Sequence, residues 1–140
     1  MRTNTNKLPA LLLALFLIPF LSFTPFTNSA NAQRWEKLGQ RKVNFKADRD
    51  EIGVGRYDGF LTGLQIRVRK GSINMIKMEV HFGNGETKEV PLKNNFKDGD
   101  DSRVIDLPGN RRVIVKVVFW YESTSSSEGG KPVVELWGRH

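Results

Sequence analysis

The chain has 140 residues, no cysteine and only two histidines, and its 22 lysine and arginine residues outnumber its 15 acidic residues to give a formal net charge of +7. The absence of cysteine excludes disulfides and thiolate metal sites. The length suits one domain with a hydrophobic core, and the positive charge favours anionic partners.

The first 32 residues have the three-part layout of a secretory signal peptide. Two basic residues and no acid lie at its start, and residues 8–26 form an apolar run that Pro19 and Pro25 interrupt. Ala30-Asn31-Ala32 then supplies the small residues that precede cleavage. The interrupted run favours cleavage over a retained transmembrane helix. We therefore expect cleavage after Ala32, which leaves residues 33–140 as a single domain at +5, in a periplasm or outside the cell.

From residue 33 onward, apolar and polar residues alternate in short runs separated by Gly, Asn, Asp and Pro. This period of two predicts antiparallel strands, and no stretch has the spacing of a helix. The predicted strands cover residues 35–45, 49–54, 64–69, 76–82, 86–92, 102–107, 113–121 and 133–137. Eight short strands in about 100 residues predict an all-β fold, a two-layer antiparallel sandwich similar to a jelly roll, with an open barrel as the alternative.

Two of these runs carry most of the expected core. The apolar positions of residues 76–82, beginning with Ile76, are expected to share one face, and Gly83-Asn84-Gly85 predicts a hairpin turn directly after them. Residues 113–121 form the most apolar run of the mature chain, so we expect this strand in the middle of a sheet with both faces covered. Residues 94–101 and 123–130 are predicted to be polar surface loops.

Several short motifs span nearly the whole mature chain. They are Trp35-x-x-Leu38-Gly39-x-Arg41-x-Val43, Asp48-x-Asp50-x-Ile52-x-Val54-Gly55, Phe82-Gly83-Asn84-Gly85, Arg103-Val104-Ile105-Asp106-Leu107-Pro108-Gly109, Val118-Phe119-Trp120-Tyr121 and Val134-Glu135-Leu136-Trp137-Gly138-Arg139. In these motifs the chain resembles a family of small exported bacterial proteins of unknown function. The resemblance implies a secreted bacterial β-domain, and it assigns no catalytic or binding residue.

Few residues are available for catalysis. His81 is the only histidine inside the domain, and no Gly-x-Ser-x-Gly motif accompanies it, so we expect a solvated strand residue rather than a catalytic base. Paired carboxylates can hydrolyse glycosides, which leaves open an enzyme acting on envelope polysaccharide. The acids considered for that role are Asp48, Asp50, Asp106 and Glu135. The structural alternative is that each acid pairs with an arginine or caps a turn.

Oxygen-rich loops can bind calcium, and residues 98–101 form such a loop with three aspartates. The spacing does not match an EF-hand, so we expect a solvated turn. No cofactor and no metal site is predicted, and without a nucleic-acid-binding motif we expect no nucleic-acid partner.

Basic and aromatic residues suggest a binding surface instead. One group of basic residues lies on a predicted strand and the turn after it, and a second group lies in another predicted turn. Among the aromatic residues, we expect Trp120 and Trp137 in the core. We expect Tyr57 to be exposed in a glycine-flanked turn, where its ring could stack on a sugar. The candidate ligand-binding residues are Arg67, Arg69, Lys70, Arg111, Arg112 and Tyr57. The leading hypothesis is an exported, non-enzymatic sandwich that binds an anionic or glycan component of the bacterial cell envelope. The alternatives are the carboxylate enzyme and a structural or protein-partner-binding module, and the sequence leaves the oligomeric state open.

Overall fold

Alternating side chains build two antiparallel sheets that pack face to face. The computed structural model of the chain describes residues 33–44, 48–92, 95–109, 111–122 and 131–140. The described residues form nine strands and one short 3-10 turn, Arg56–Asp58. This confirms the predicted all-β sandwich. The predicted signal peptide and the predicted loop at 123–130 lie outside the described residues.

The strands are divided between a four-stranded and a five-stranded sheet. They are β1 (Trp35–Lys42), β2 (Arg49–Gly53), β3 (Gly63–Arg69), β4 (Ile73–Phe82), β5 (Thr87–Val90), β6 (Asn95–Phe96), β7 (Ile105–Asp106), β8 (Ile114–Glu122) and β9 (Val133–Arg139). The four-stranded sheet has the order β1-β9-β3-β7, and the other has the order β2-β8-β4-β5, with β6 also paired to β4. The predicted central position of the 113–121 run is confirmed, because β8 lies between β2 and β4.

The core fills the space between the two sheets. In β3 the aliphatic residues Leu64, Ile66 and Val68 are buried, whereas the polar residues between them are half-buried on the outer face. Opposite them, the inner face of β8 contributes Phe119 and Tyr121, both with no exposed surface. Each Å² of apolar surface removed from water contributes about 25 cal/mol to the free energy of folding. This buried layer is therefore the main source of stability in a domain without disulfides.

Two β-bulges displace apolar residues that strict alternation places inside. The β4–β8 register shifts between Met75 and Lys77, so Ile76 is 55% exposed and Met75 occupies the core in its place. A second shift, near the start of β8, leaves Val115 50% exposed. The prediction that Ile76 shares a face with Met78 is therefore wrong, because one extra residue in a strand inverts the alternation before it.

The edge of β3 is covered partly by a strand and partly by irregular chain. Strand β7 reaches only Gly63 and Leu64, and the predicted strand at 102–107 is shorter than expected. Beyond it the buried Ser102 accepts a hydrogen bond from the Ile66 N–H through its side-chain oxygen, at 2.9 Å. The predicted polar loop at 94–101 also contains a strand, β6, whose Phe96 is fully buried.

Among the residues described above, no helix has both the length and the apolar character required to cross a membrane.

Candidate functional site

Three connections meet at one end of the sandwich, those between β2 and β3, between β4 and β5, and between β7 and β8. Leu61 and Arg112 exchange two backbone hydrogen bonds, of 2.9 and 2.8 Å, and the Gly83 N–H donates to the Val113 carbonyl at 2.9 Å. These bonds hold the three connections side by side around a groove of about 430 Å³. The groove, here named the Arg111 groove, is lined by Phe60, Gly83, Asn84, Arg111, Arg112 and Val113.

Arg111 presents a positive charge at this groove. Its guanidinium carbon lies 4.8 Å from the centroid of the Phe60 ring, and the ring itself is 54% exposed. Within the described part of the chain, no carboxylate forms an ion pair with Arg111. The cation therefore rests on an aromatic face and keeps its N–H donors available to an anion.

Arg112 is occupied by the protein itself. It donates to Glu86 Oε2 at 2.7 Å, to Asn84 Oδ1 at 3.3 Å and to the Pro108 carbonyl at 3.4 Å, and its guanidinium stacks 3.9 Å from the Phe82 ring centroid. The hydrogen bond from Arg112, with a further contribution from Asn84, lowers the pKa of Glu86 below its usual range. Arg112 thus ties the β4–β5 hairpin to the β7–β8 connection and positions its neighbour Arg111.

Tyr57 precedes the groove residue Phe60 by three residues in the sequence and lies at the tip of a short turn. The turn, Gly55–Gly59, is closed by two bonds: the Gly55 N–H donates to Asp58 Oδ2 at 2.7 Å, and the Asp58 N–H donates to the Gly55 carbonyl at 3.0 Å. Gly59 has φ +67°, which a glycine adopts without steric cost. Tyr57 is 98% exposed, as the sequence predicts, and its ring is held outward by this closed turn.

The other predicted basic residues lie at the opposite end of the sandwich. Arg69 forms an ion pair of 2.9 Å with Asp101, and Arg67 lies 4.0 Å from the same carboxylate. Lys70 follows in the β3–β4 turn, where its N–H donates to Asp98 Oδ1 at 2.8 Å. The six predicted residues therefore form two separate groups, and β3, at about 3.3 Å per residue, separates them by roughly 20 Å.

The candidate catalytic acids are held by different partners. Asp106 forms an ion pair of 2.6 Å with Arg139, Asp50 accepts a hydrogen bond of 2.8 Å from the Tyr121 hydroxyl, and Asp48 is exposed before β2. Glu135 accepts from the Trp137 indole at 2.9 Å and from Lys37 at 3.3 Å. Burial opposes ionisation of Glu135, but these two donors prevail and lower its pKa. Asp106 and Glu135 thus belong to the four-stranded sheet, whereas Asp48 and Asp50 lie at β2 of the other sheet, where the charges of both act on the Tyr121 hydroxyl.

The predicted acidic loop acts as a set of turn caps. Asp98 accepts from the Lys70 N–H and Asp100 from the Lys97 N–H, at 2.8 and 2.9 Å, while Asp101 holds Arg69. The described residues contain no group of three or more His, Asp or Glu side chains arranged to hold a metal ion. His81 is half-buried on the outer face of β4, with its Nε2 2.8 Å from Glu79 Oε1.

Comparison with known proteins places the chain in a family. A family model described as "Domain of unknown function (DUF2541)" matches residues 10–138. The chain belongs to the DUF2541 family. The expectation from the sequence motifs that the family is one of unknown function is thus confirmed. No curated protein matches the chain. Among solved structures, SPBc2 prophage-derived protein YomS is similar, with a TM-score of 0.41 and 15% identity over 77% of this chain and 93% of that one.

In this DUF2541 chain, sequence reasoning misplaced two tryptophans. Trp120 and Trp137, expected in the core, are half-buried on the outer faces of the two sheets. Trp120 has Lys77 4.4 Å and Arg49 5.6 Å from its ring centroid, and Arg67 lies 4.1 Å above Trp137. Long cationic side chains cover these rings, so each tryptophan is shielded without entering the core.

Phe60 is the groove residue that sequence reasoning missed. The signal available was its position directly after Gly59 and three residues before β3 begins at Gly63. Because Phe60 lies outside the alternating pattern of the strand, that pattern does not predict whether its side chain is buried or exposed. Its exposure next to Arg111 follows from the pairing of Leu61 with Arg112, which links segments distant in sequence.

Proposed function

We propose that this protein is an exported, non-enzymatic module that binds an anionic component of the bacterial cell envelope at the Arg111 groove. The observation that carries the proposal is the guanidinium of Arg111, which lies over an exposed aromatic ring and has no carboxylate partner among the described residues. A cation without a carboxylate partner attracts an external anion more strongly than one already neutralised.

Charge pairing elsewhere supports this choice of site. Arg67 and Arg69 share the Asp101 carboxylate, and Arg139 is paired with Asp106. An anionic ligand at any of these positions would have to compete with a carboxylate already present. Arg111 is therefore the ligand-binding residue in this proposal, and Arg112 is a positioning residue.

Export rests on the signal-peptide layout of residues 1–32, and it sets the compartment in which a ligand would be met. The proposed location is a periplasm or the cell exterior, where anionic glycans and anionic lipid headgroups are both present. A non-enzymatic role is favoured because Asp50, Asp106 and Glu135 are each held by a different partner, whereas carboxylate hydrolysis requires two acids flanking one bond.

Salt-dependent retention tests the proposal directly. The protein is applied to an immobilised sulfated polysaccharide and, separately, to isolated cell envelopes, and eluted with increasing salt. We expect Arg111→Gln to elute at clearly lower salt than the native protein, because the variant lacks the cation of the proposed binding groove. Lys70→Gln, at the opposite end, is the matched control and should elute with the native protein. Absence of salt-sensitive retention, or equal loss in both variants, would overturn the proposal.

A further inference from the structure

The groove end of the sandwich combines exposed aromatic rings with arginine side chains. Tyr57 is 98% exposed and Phe60 is 54% exposed, although both are large aromatic residues. Arg56, next to Tyr57, and Arg111, over Phe60, form no ion pair within the residues that the structure describes. Water alone is a poor environment for such rings, so this end is suited to a surface that is both apolar and negatively charged.

The polar groups of the groove are already engaged with one another. Asn84 Oδ1 accepts from the Glu86 N–H at 3.0 Å and from Arg112 at 3.3 Å, and Glu86 Oε2 holds Arg112 at 2.7 Å. A sugar site needs polar groups around its aromatic platform that can hydrogen-bond to hydroxyls. Here Asn84 Oδ1 and Glu86 Oε2 are used internally, so the exposed rings and the Arg111 guanidinium are the more prominent binding elements.

We propose that this end docks onto the surface of a bilayer that contains anionic lipid, with the rings of Tyr57 and Phe60 at headgroup depth and Arg56 and Arg111 on lipid phosphates. The inference rests on the proposed function and specifies its ligand. Aromatic rings accumulate at the membrane–water interface, and each nearby arginine adds attraction to anionic headgroups. Neither ring requires a change of fold to reach the surface.

The turn that carries Tyr57 is prepared for this contact. The bonds from Gly55 to Asp58 and back, at 2.7 and 3.0 Å, fix its shape, so little conformational entropy is lost when the ring is inserted. The outer face of the five-stranded sheet differs from this end in its charge pairing. On the five-stranded sheet Lys116 pairs with Glu51 and Lys77 with Glu89, so charges of both signs are matched there.

Vesicle sedimentation tests the proposal with a matched control. Vesicles containing phosphatidylglycerol are compared with vesicles of phosphatidylcholine alone, and all proteins are purified in the same form, so that any contribution of residues 8–26 is common to them. We expect Tyr57→Ser combined with Phe60→Ser to reduce binding to the anionic vesicles roughly tenfold. Ile76→Ser removes an apolar residue that is as exposed as Phe60, at 55%, and that lies far from the groove, so this variant should bind as the native protein does.

Site-specific labelling provides a second measurement that does not depend on affinity. Because the chain has no cysteine, a single cysteine can carry a polarity-sensitive dye at one chosen position. We expect the dye on Tyr57→Cys to shift to shorter wavelength with phosphatidylglycerol vesicles, and the dye on Ile76→Cys to remain unchanged. A shift at both positions, or at neither, would contradict docking through this end.

The outcomes separate the two proposals. Salt-sensitive retention on the sulfated polysaccharide without binding to anionic vesicles would overturn the bilayer inference and leave the proposed function standing, with an anionic glycan as its ligand. Vesicle binding that survives Arg111→Gln and the double serine variant would also overturn it. Failure to bind either the polymer or the vesicles would overturn both proposals.

Discussion

The guanidinium carbon of Arg67 lies 4.1 Å from the ring centroid of Trp137, on the outer face of the four-stranded sheet. Gln65 Oε1 accepts from the same guanidinium at 3.3 and 3.4 Å, which holds it in place. A residue predicted to bind ligand therefore covers a residue predicted to lie in the core. The arrangement stabilises the sheet from outside and occupies a cation that would otherwise face solvent.

A double-mutant cycle measures this contact. Arg67→Ala and Trp137→Leu are each expected to destabilise the fold, and the double variant should be less destabilised than the sum of the two, with a coupling of about 0.5–1 kcal/mol. The free energies come from urea unfolding. Lys70→Ala paired with Trp137→Leu serves as the control and should be additive. Additivity of the Arg67 and Trp137 variants would show that the stacking contributes nothing to stability.

The same pair shows what alternation can and cannot predict. Period two correctly places Arg67 on the polar face of β3, because inside and outside follow from the residue's own neighbours. The stacking of Arg67 on Trp137 depends on the pairing of β3 with β9, which joins segments far apart in sequence. Similarly, the hairpin at Gly83-Asn84-Gly85 was predictable from local turn chemistry, whereas the exposure of Ile76 was not, since it requires a bulge opposite β8.

In the candidate site, too, local features were predictable from the sequence and long-range contacts were not. Tyr57 is exposed because glycines flank it, and this was visible in the sequence. Arg112 is held by Glu86, whereas Arg111 has no ion pair with any residue that the structure describes, and this difference depends on how the β4–β5 hairpin meets the β7–β8 connection. Basic residues can be found by counting, but their pairing is decided by the tertiary structure.

The Tyr121 hydroxyl predicts an alkaline limit to stability. It is buried in the core and donates to Asp50 Oδ2 at 2.8 Å, with the Asn44 carbonyl at 3.0 Å. Burial, followed by the hydrogen bond and charge of Asp50, raises the pKa of Tyr121 above its ordinary value of 10. Folding therefore favours the neutral phenol, so this stabilisation is complete below about pH 10 and is lost as the pH rises further.

Urea unfolding at several pH values checks this expectation. Tyr121→Phe should lower the free energy of unfolding by about 1–2 kcal/mol at neutral pH, because the carboxylate of the half-buried Asp50 loses its donor. Above pH 10 the native protein should lose stability faster than this variant does. Tyr57→Phe is the control, since the exposed phenol should change neither value. Parallel pH profiles for the native protein and Tyr121→Phe would contradict the assignment.

Two strand glycines predict opposite responses to the same substitution. A Cβ atom at Gly138, in β9, would lie 2.8 Å from Cδ atoms of both Leu38 and Leu61, and Leu61 is fully buried. Gly138→Ala should therefore destabilise the protein by about 1–3 kcal/mol through overpacking. At Gly53, in β2, a Cβ would meet nothing within 4 Å. Gly53→Ala should be neutral or stabilise by about 0.5 kcal/mol. Equal unfolding midpoints for the two variants would show that the contact at Gly138 relaxes without cost.

Export predicts a defined mature terminus. If signal peptidase cleaves after Ala32, the intact mass of the exported protein should correspond to residues 33–140, with Gln33 first. Ala32→Arg should block processing, because the enzyme accepts only small side chains at this position, whereas Asn31→Gln, at the tolerant middle position of the motif, should be processed normally. Recovery of the native protein from the exported fraction with Met1 still present would contradict cleavage. In that case residues 8–26 could supply a membrane attachment of their own, and the vesicle measurements would have to be made with that segment in place.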